Sequence, residues 1–267
     1  MSLRCKRLLI GAVFGVLSSF AGFANAQVIF SEDFSGTGLV LDGTMEDESG
    51  AVWAANDFAT DNGVFNVGDG TTATNFEGAA TLAIDGGLLA DRVYTISLDV
   101  ESVAAEWVGI GFSENGSTGV PNRPQDRFAQ SGGRAWFLYR PGDPLADQVQ
   151  IFGGTNTANG IADDDTNFFG PLESRNLKVV LDTSSAGITA DFLINDVSVS
   201  FGPQSVGGTV ADFDNVGFTW EGQSAGGAAG AITVDNFSFS VNAIPEPGSL
   251  AFLGLMSIAG LARRRRS

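Results

Sequence analysis

The sequence predicts an all-β sandwich. Short apolar stretches recur along the chain, several with strict alternation of polar and apolar side chains. Turn-rich segments separate them, in a chain with 36 Gly, 21 Phe and only 3 Met. Between 27 and 243 no long stretch combines a 3.6-residue period with helix caps. With 43% apolar and 17% charged residues, the 267-residue chain can bury a core and is too apolar to be disordered.

The strands are expected in this order. Val28–Phe34 opens the set, and Ala51–Phe58, Val64–Val67 and Ala79–Ile84 follow. Arg92–Glu101 alternates cleanly, with Tyr94, Ile96, Leu98 and Val100 on one face. Trp107–Phe112 runs up to a Glu114-Asn115-Gly116 turn. Arg134–Arg140, Gln148–Phe152, Leu177–Asp182 and Ile188–Ile194 come next. Asn195-Asp196 turns the chain into Val197–Phe201, and Asn215–Trp220 and Ile232–Val241 close the series. Turn-rich inserts fill 113–133 and 153–171. No linker or fixed repeat divides 27–243, so one domain is expected there.

The two ends read as addresses. Arg4, Lys6 and Arg7 precede an apolar run from Leu8 to Phe23, and Ala24-Asn25-Ala26 has the small-residue spacing of a cleavage site. Residues 1–26 are therefore a secretory signal peptide, with Ala24 and Ala26 setting the cut. At the other end Pro245-Glu246-Pro247 stops any strand, because proline donates no ladder hydrogen bond. Gly248–Ala262 is apolar, and Arg263, Arg264, Arg265 and Arg266 follow it. A helix of those 15 residues spans about 22 Å, short of a hydrocarbon core of about 30 Å. The arginines place its end on the cytoplasmic side, so the tail holds the chain transiently in the inner membrane. Residues 244–267 resemble a PEP-CTERM sorting signal. That resemblance implies processing at Pro245-Glu246-Pro247 by an exosortase in a Gram-negative bacterium that makes exopolysaccharide. The product is then expected in the envelope, the extracellular matrix or the medium.

Composition excludes much chemistry. There is no His, and Cys5 lies in the leader, so His triads, His-ligated metals, Cys-ligated metals and intrachain disulfides are excluded. Residues 27–243 keep 30 acidic and seven basic residues, a formal charge of −23. Such a surface disfavours nucleic acid and favours divalent cations as counterions.

The hairpin from Ala190 to Val199, the stretch Val216-Gly217-Phe218 and the closing run Val234–Val241 are similar to strands of concanavalin A-like and laminin-G-like domains. The resemblance implies a single jelly-roll, lectin-like sandwich. In many such carbohydrate-binding modules a structural calcium lies between the first and last strands. Here it would use Glu32 or Asp33 at the start and Asp235 at the end, against the bland alternative of solvated rim residues. Asp163-Asp164-Asp165 and Glu46-Asp47-Glu48 read as solvated loops, since no calcium-loop spacing is present.

A glycan surface needs an aromatic ring beside polar groups. Trp136, Tyr139, Arg140 and Asp143 lie in one hairpin region and are the candidates. For each of the four tryptophans the default is core packing. Trp136, however, opens a continuous apolar run, so one of its faces covers something other than the core. Catalysis is not expected. Lectin-like glycosidases carry Glu-x-Asp-x-x-Glu or Glu-x-Asp-x-Glu on one strand, and the nearest stretch here is Ser97-Leu98-Asp99-Val100-Glu101, with serine at the nucleophile position. The expected function is that of an exported, non-catalytic surface or matrix protein that binds exopolysaccharide. A degenerate or unrecognised glycan hydrolase and a purely structural, Ca²⁺-stabilised surface protein are the alternatives.

Overall fold

A computed structural model describes residues 26–55, 60–66, 77–102, 107–113, 133–139, 149–153, 158–159, 174–184, 187–199, 202–221 and 231–243. Contacts gather Ala26–Ala243 into one unit. The leader, the Pro-Glu-Pro motif and the arginine tail lie outside the described residues, as do Arg140 and Asp143. No helix among the described residues is long and apolar enough to cross a membrane.

Alternation in the sequence becomes strand in the structure. In chain order the strands are β1 (Gln27–Glu32), β2 (Ala54–Ala55), β3 (Val64–Asn66), β4 (Glu77–Ala83) and β5 (Arg92–Ser102). Next come β6 (Trp107–Ser113), β7 (Gly133–Tyr139), β8 (Val149–Gly153), β9 (Ala158–Asn159) and β10 (Arg175–Asp182). The series ends with β11 (Thr189–Ile194), β12 (Val197–Ser198), β13 (Gln204–Ser205), β14 (Asn215–Glu221) and β15 (Ala231–Ala243). One sheet runs β1-β15-β5-β10-β11-β12, with β3 also on β15 and β13 on β11; the other runs β2-β4-β14-β6-β7-β8-β9. Every described strand pair is antiparallel. This is the sandwich the periodicity predicts.

The core lies between the sheets. Tyr94, Ile96, Leu98 and Val100 of β5 meet Val108, Ile110 and Phe112 of β6 and Phe218 of β14 in one buried cluster. On β10 the burial alternates residue by residue, as a strand with one wet face requires. The Asn195-Asp196 turn is as expected, with φ of +51° and +64° at the two residues, the left-handed region that Asn and Asp tolerate.

The second sheet departs from the usual half-wet pattern. Its outward row, Thr81, Gly217, Gly111 and Trp136 in cross-strand register, is buried as deeply as its inner face. Glycine is needed there, because a Cβ on Gly217 would lie 2.1 Å from the Ala80 carbonyl and one on Gly111 2.3 Å from that of Ala135.

Four expected segments differ in part. Of Ala51–Phe58 only residues 51–55 are described: there an isolated bridge joins Met45 to Val52, Trp53 is buried in the core and Ala54–Ala55 pairs in a sheet. Of Val197–Phe201 the described residues 197–199 hold the strand pair Val197–Ser198, and β9 forms inside the insert expected to be turn-rich. Glu46 is no solvated loop residue; it is 3% exposed.

Candidate functional site

The site is built where the first strand ends. At the end of β1 the side chain of Glu32 points inward and is 8% exposed. Its Oε1 accepts the Phe34 N–H (2.9 Å), and its Oε2 accepts the Trp53 indole N–H (3.3 Å). These bonds clasp a sharp bend: Phe34 has φ of +49°, costly for a bulky side chain. The bend drives the Phe34 ring between Trp53 and Phe218, with centroids 6.1 and 6.0 Å away. Aromatic packing therefore holds a strained residue, and Asp33 is turned out to solvent. Desolvation pushes the Glu32 carboxyl above its ordinary value, only partly offset by its hydrogen bonds to Phe34 and Trp53.

Glu46 holds the neighbouring hairpin. Its carboxylate accepts backbone N–H bonds from Ser31 (3.0 Å), Glu48 (2.8 Å), Ser49 (2.6 Å) and Ala51 (3.1 Å), and the Ser49 hydroxyl also donates to it. Burial pushes its carboxyl up, but the bonds from Ser49, Ser31, Glu48 and Ala51 together hold it below its ordinary value. The next residue, Asp47, accepts the Asp33 N–H through Oδ2 at 3.0 Å. As a result Glu32, Asp33 and Asp47 each bring a carboxylate oxygen to within 4.8 Å of the others. Oxygens about 2.3–2.6 Å from a shared Ca²⁺ have that spacing, so the donor set fits a hard cation. The Ser35 hydroxyl and N–H hold the Asp33 carboxyl below its ordinary value.

Asp235 is not part of this trio. It lies across from Asp99 on the β15–β5 ladder, where β15 bulges and Asn236 takes φ of +51°. Asp99 is held by two amides, accepting from Asn176 Nδ2 at 2.7 Å and Asn236 Nδ2 at 3.0 Å. Asp99, Asp235 and Asn236 line a groove of about 380 Å³, with Glu101, Thr233 and Ser174 along it and Asp33 and Asn62 on its wall. Gly63 fixes that wall: its carbonyl accepts the Val234 N–H at 2.8 Å, and a Cβ there would meet the Val234 carbonyl at 2.2 Å. Among the described residues that line the groove there is no lysine or arginine. Asp99 and Glu101, on the strand face read from the sequence as solvated, thus border a groove.

The aromatic candidates fall elsewhere. Trp136 and Tyr139 are 1% and 2% exposed. Three residues apart on one strand, they point to opposite faces. Tyr139 joins the main core, whereas Trp136 stacks on Phe152 at 4.1 Å in a separate small cluster with Leu138. Neither ring is open to a sugar, which corrects the expected stacking platform. Trp53 and Trp220 are core residues, as expected.

No protein-family model and no curated protein matches the sequence. Among solved structures, the carbohydrate recognition domain of Emp47p matches at 13% identity, with a TM-score of 0.51 over 82% of this chain and 97% of that one. The chain has the lectin-like jelly-roll fold. The lectin-like defence protein arcelin-5 of Phaseolus vulgaris matches at 13% identity and TM-score 0.43, covering 76% of this chain and 97% of its own. The alginate lyase Aly36B matches at 14% identity and TM-score 0.42, covering 80% and 96%.

Proposed function

We propose that the chain is an exported, non-catalytic surface or matrix protein that binds polysaccharide along the acidic groove. The observation that carries this reading is the groove itself: among the described residues that line it are carboxylates, amides and hydroxyls. Asp and Asn side chains in fixed positions are the acceptors and donors that sugar hydroxyls require. The fold shared with the Emp47p carbohydrate recognition domain supports the same class of ligand. A Ca²⁺ ion held by Glu32, Asp33 and Asp47 would neutralise the buried Glu32 charge and brace the groove wall through Asp33. Delivery is by the leader, cut after Ala26, and by the PEP-CTERM tail, trimmed by an exosortase, which leaves the body in the envelope, matrix or medium.

Glycan-array binding of the exported protein, with and without a chelator, tests this. Binding that Asp235→Asn and Glu101→Gln weaken, with neither variant less stable than wild type, is expected. Binding to no polysaccharide, or binding indifferent to both substitutions, overturns it and leaves the purely structural reading. A second reading, a glycan hydrolase, draws on Asp99 and Glu101 sharing the groove. It requires polysaccharide turnover that Asp99→Asn or Glu101→Gln abolishes.

A further inference from the structure

We infer that the groove selects a polysaccharide carrying free amino groups, a deacetylated hexosamine polymer, over a neutral or a uronate one. This deepens the glycan-binding reading above and rests on it.

The groove holds charge without countercharge. Asp99, Glu101 and Asp235 line it beside the Asn236 amide and the Thr233 hydroxyl. None of the three carboxylates is ion-paired to a described residue. The described basic residues of the same sheet are committed elsewhere. Arg92 donates to the Asp91 carbonyl at the far end of β5, and Lys178 pairs with Asp196. Arg175 is 8% exposed and opens the inward-facing row of β10.

The charges are also held in place. The side-chain amides of Asn176 and Asn236 grip Asp99, one on each oxygen. They fix the carboxylate and leave its charge. Asp235 lies opposite Asp99 in the ladder, and Glu101 follows two residues along β5, about 6.8 Å away. Like charges directly opposite each other destabilise a ladder, so a cation bound here relieves strain that the empty groove keeps.

Spacing decides between one metal ion and a charged chain. On a single Ca²⁺ the ligand oxygens must converge. Among the described residues the carboxylates that converge as a trio, within 4.8 Å of one another, are Glu32, Asp33 and Asp47; Asp99, Glu101 and Asp235 form no such group. Charges spread along one strand and across to its neighbour suit cations spread along a polymer. An ammonium group brings three N–H donors. Its hydrogen bond to a carboxylate is about twice as strong as one between neutral groups. N-acetylation removes that charge, and a uronate brings a like charge to a body that carries a formal −23 over residues 27–243.

The test is isothermal titration calorimetry of the exported protein at constant Ca²⁺. The probes are a glucosamine tetramer, its fully N-acetylated counterpart, a uronate tetramer and a lysine tetramer. At about twofold for each exposed ion pair, three contacts make the glucosamine tetramer bind about eightfold tighter than the acetylated one. Glu101→Gln and Asp235→Asn should each halve that ratio, and Asp91→Asn, at an exposed acid outside the groove, should leave it unchanged. No binding of the glucosamine tetramer, equal binding of the two sugar tetramers, or tighter binding of the uronate overturns the inference. So does a lysine tetramer bound as tightly as the glucosamine one, or an amine preference that both groove variants keep. In each of these cases polysaccharide binding itself stands if the acetylated probe or the glycan array still shows it. Binding to no saccharide in either assay overturns both.

Discussion

Replacing Glu46 with alanine should lower the melting temperature by about 6–12 °C. Five hydrogen bonds converge on this carboxylate, four from backbone N–H groups and one from the Ser49 hydroxyl. Hydrogen bonds to a charged group contribute about 1.5–3 kcal/mol each. Glu48 and Ser49 are exposed and their donors can turn to water, but Ser31 and Ala51 are half-buried. Two bonds at the lower value give about 3 kcal/mol. In a domain of this size each kcal/mol moves the midpoint by about 2–4 °C. Calorimetry of the exported protein at pH 7 reads the effect, with the exposed neighbour variant Glu48→Ala as control, expected within about 2 °C of wild type. The pH dependence follows from the lowered Glu46 pKa. The contribution is fully present above its ordinary value of 4.5 and is lost as pH falls through the lower folded value. The difference between wild type and variant should therefore be flat above pH 4.5 and shrink only in stronger acid. A drop of less than about 2 °C at pH 7 would refute the claim that Glu46 organises this corner.

Glu32 has the opposite sign: its folded pKa is raised, so its neutral form adds stability below 4.5 that is lost as pH rises through the folded value. Glu32→Gln should therefore be at least as stable as wild type at pH 7 in chelator; a variant weakened more at pH 7 than at pH 4 would contradict this. Saturating Ca²⁺ should stabilise wild type by about 2.7 kcal/mol at 100 times its Kd. Asp47→Asn should reduce that shift while Asp235→Asn preserves it, and a shift indifferent to Asp47 removes the trio as the site. Asp235→Asn alone, which removes a like-charge pair across the ladder from Asp99, should stabilise by about 0.2–1 kcal/mol in chemical denaturation; a loss would mean that Asp235 is paired rather than repelled. Trp136→Ala should cost about 3–5 kcal/mol, because the ring is buried against Phe152. A glycan-binding defect at unchanged stability would instead restore it as a sugar platform.

The strands were legible where one face is wet. β5 and β10 alternate in sequence and in burial, and the Asn195-Asp196 hairpin follows from local turn chemistry. The second sheet was legible as strand but not as doubly buried, because Gly109, Gly111 and Gly217 leave no alternation to read. Glu46 was missed because its role depends on donors from Ser31 to Ala51 that converge only after folding. A Ser three residues after a Glu is too common a pattern to signal this. Asp47 was missed for the same reason, since it reaches Asp33 across a hairpin whose partner strands are mere bridges. The trio and the groove are long-range products of the bend at Phe34, which no propensity suggests for a phenylalanine.

The deeper constraint is the shortage of basic side chains. With seven in residues 27–243, the body cannot neutralise its 30 acids by ion pairs. The backbone substitutes: Glu46 is surrounded by N–H groups, Asp33 by those of Ser35, and Asp99 by two side-chain amides. Amide dipoles lower the energy of a carboxylate without cancelling its charge, so the field of the whole domain stays negative. Two places remain where that compensation is incomplete: Glu32, whose pKa rises, and the Asp99–Asp235 pair, where like charges face each other across a ladder. Asp33 links them: it lies beside Glu32 and lines the same groove as Asp99 and Asp235. A positive ion or a hydroxyl-rich chain settling there would relieve the residual repulsion locally, which is the physical reason to look for the ligand at this corner.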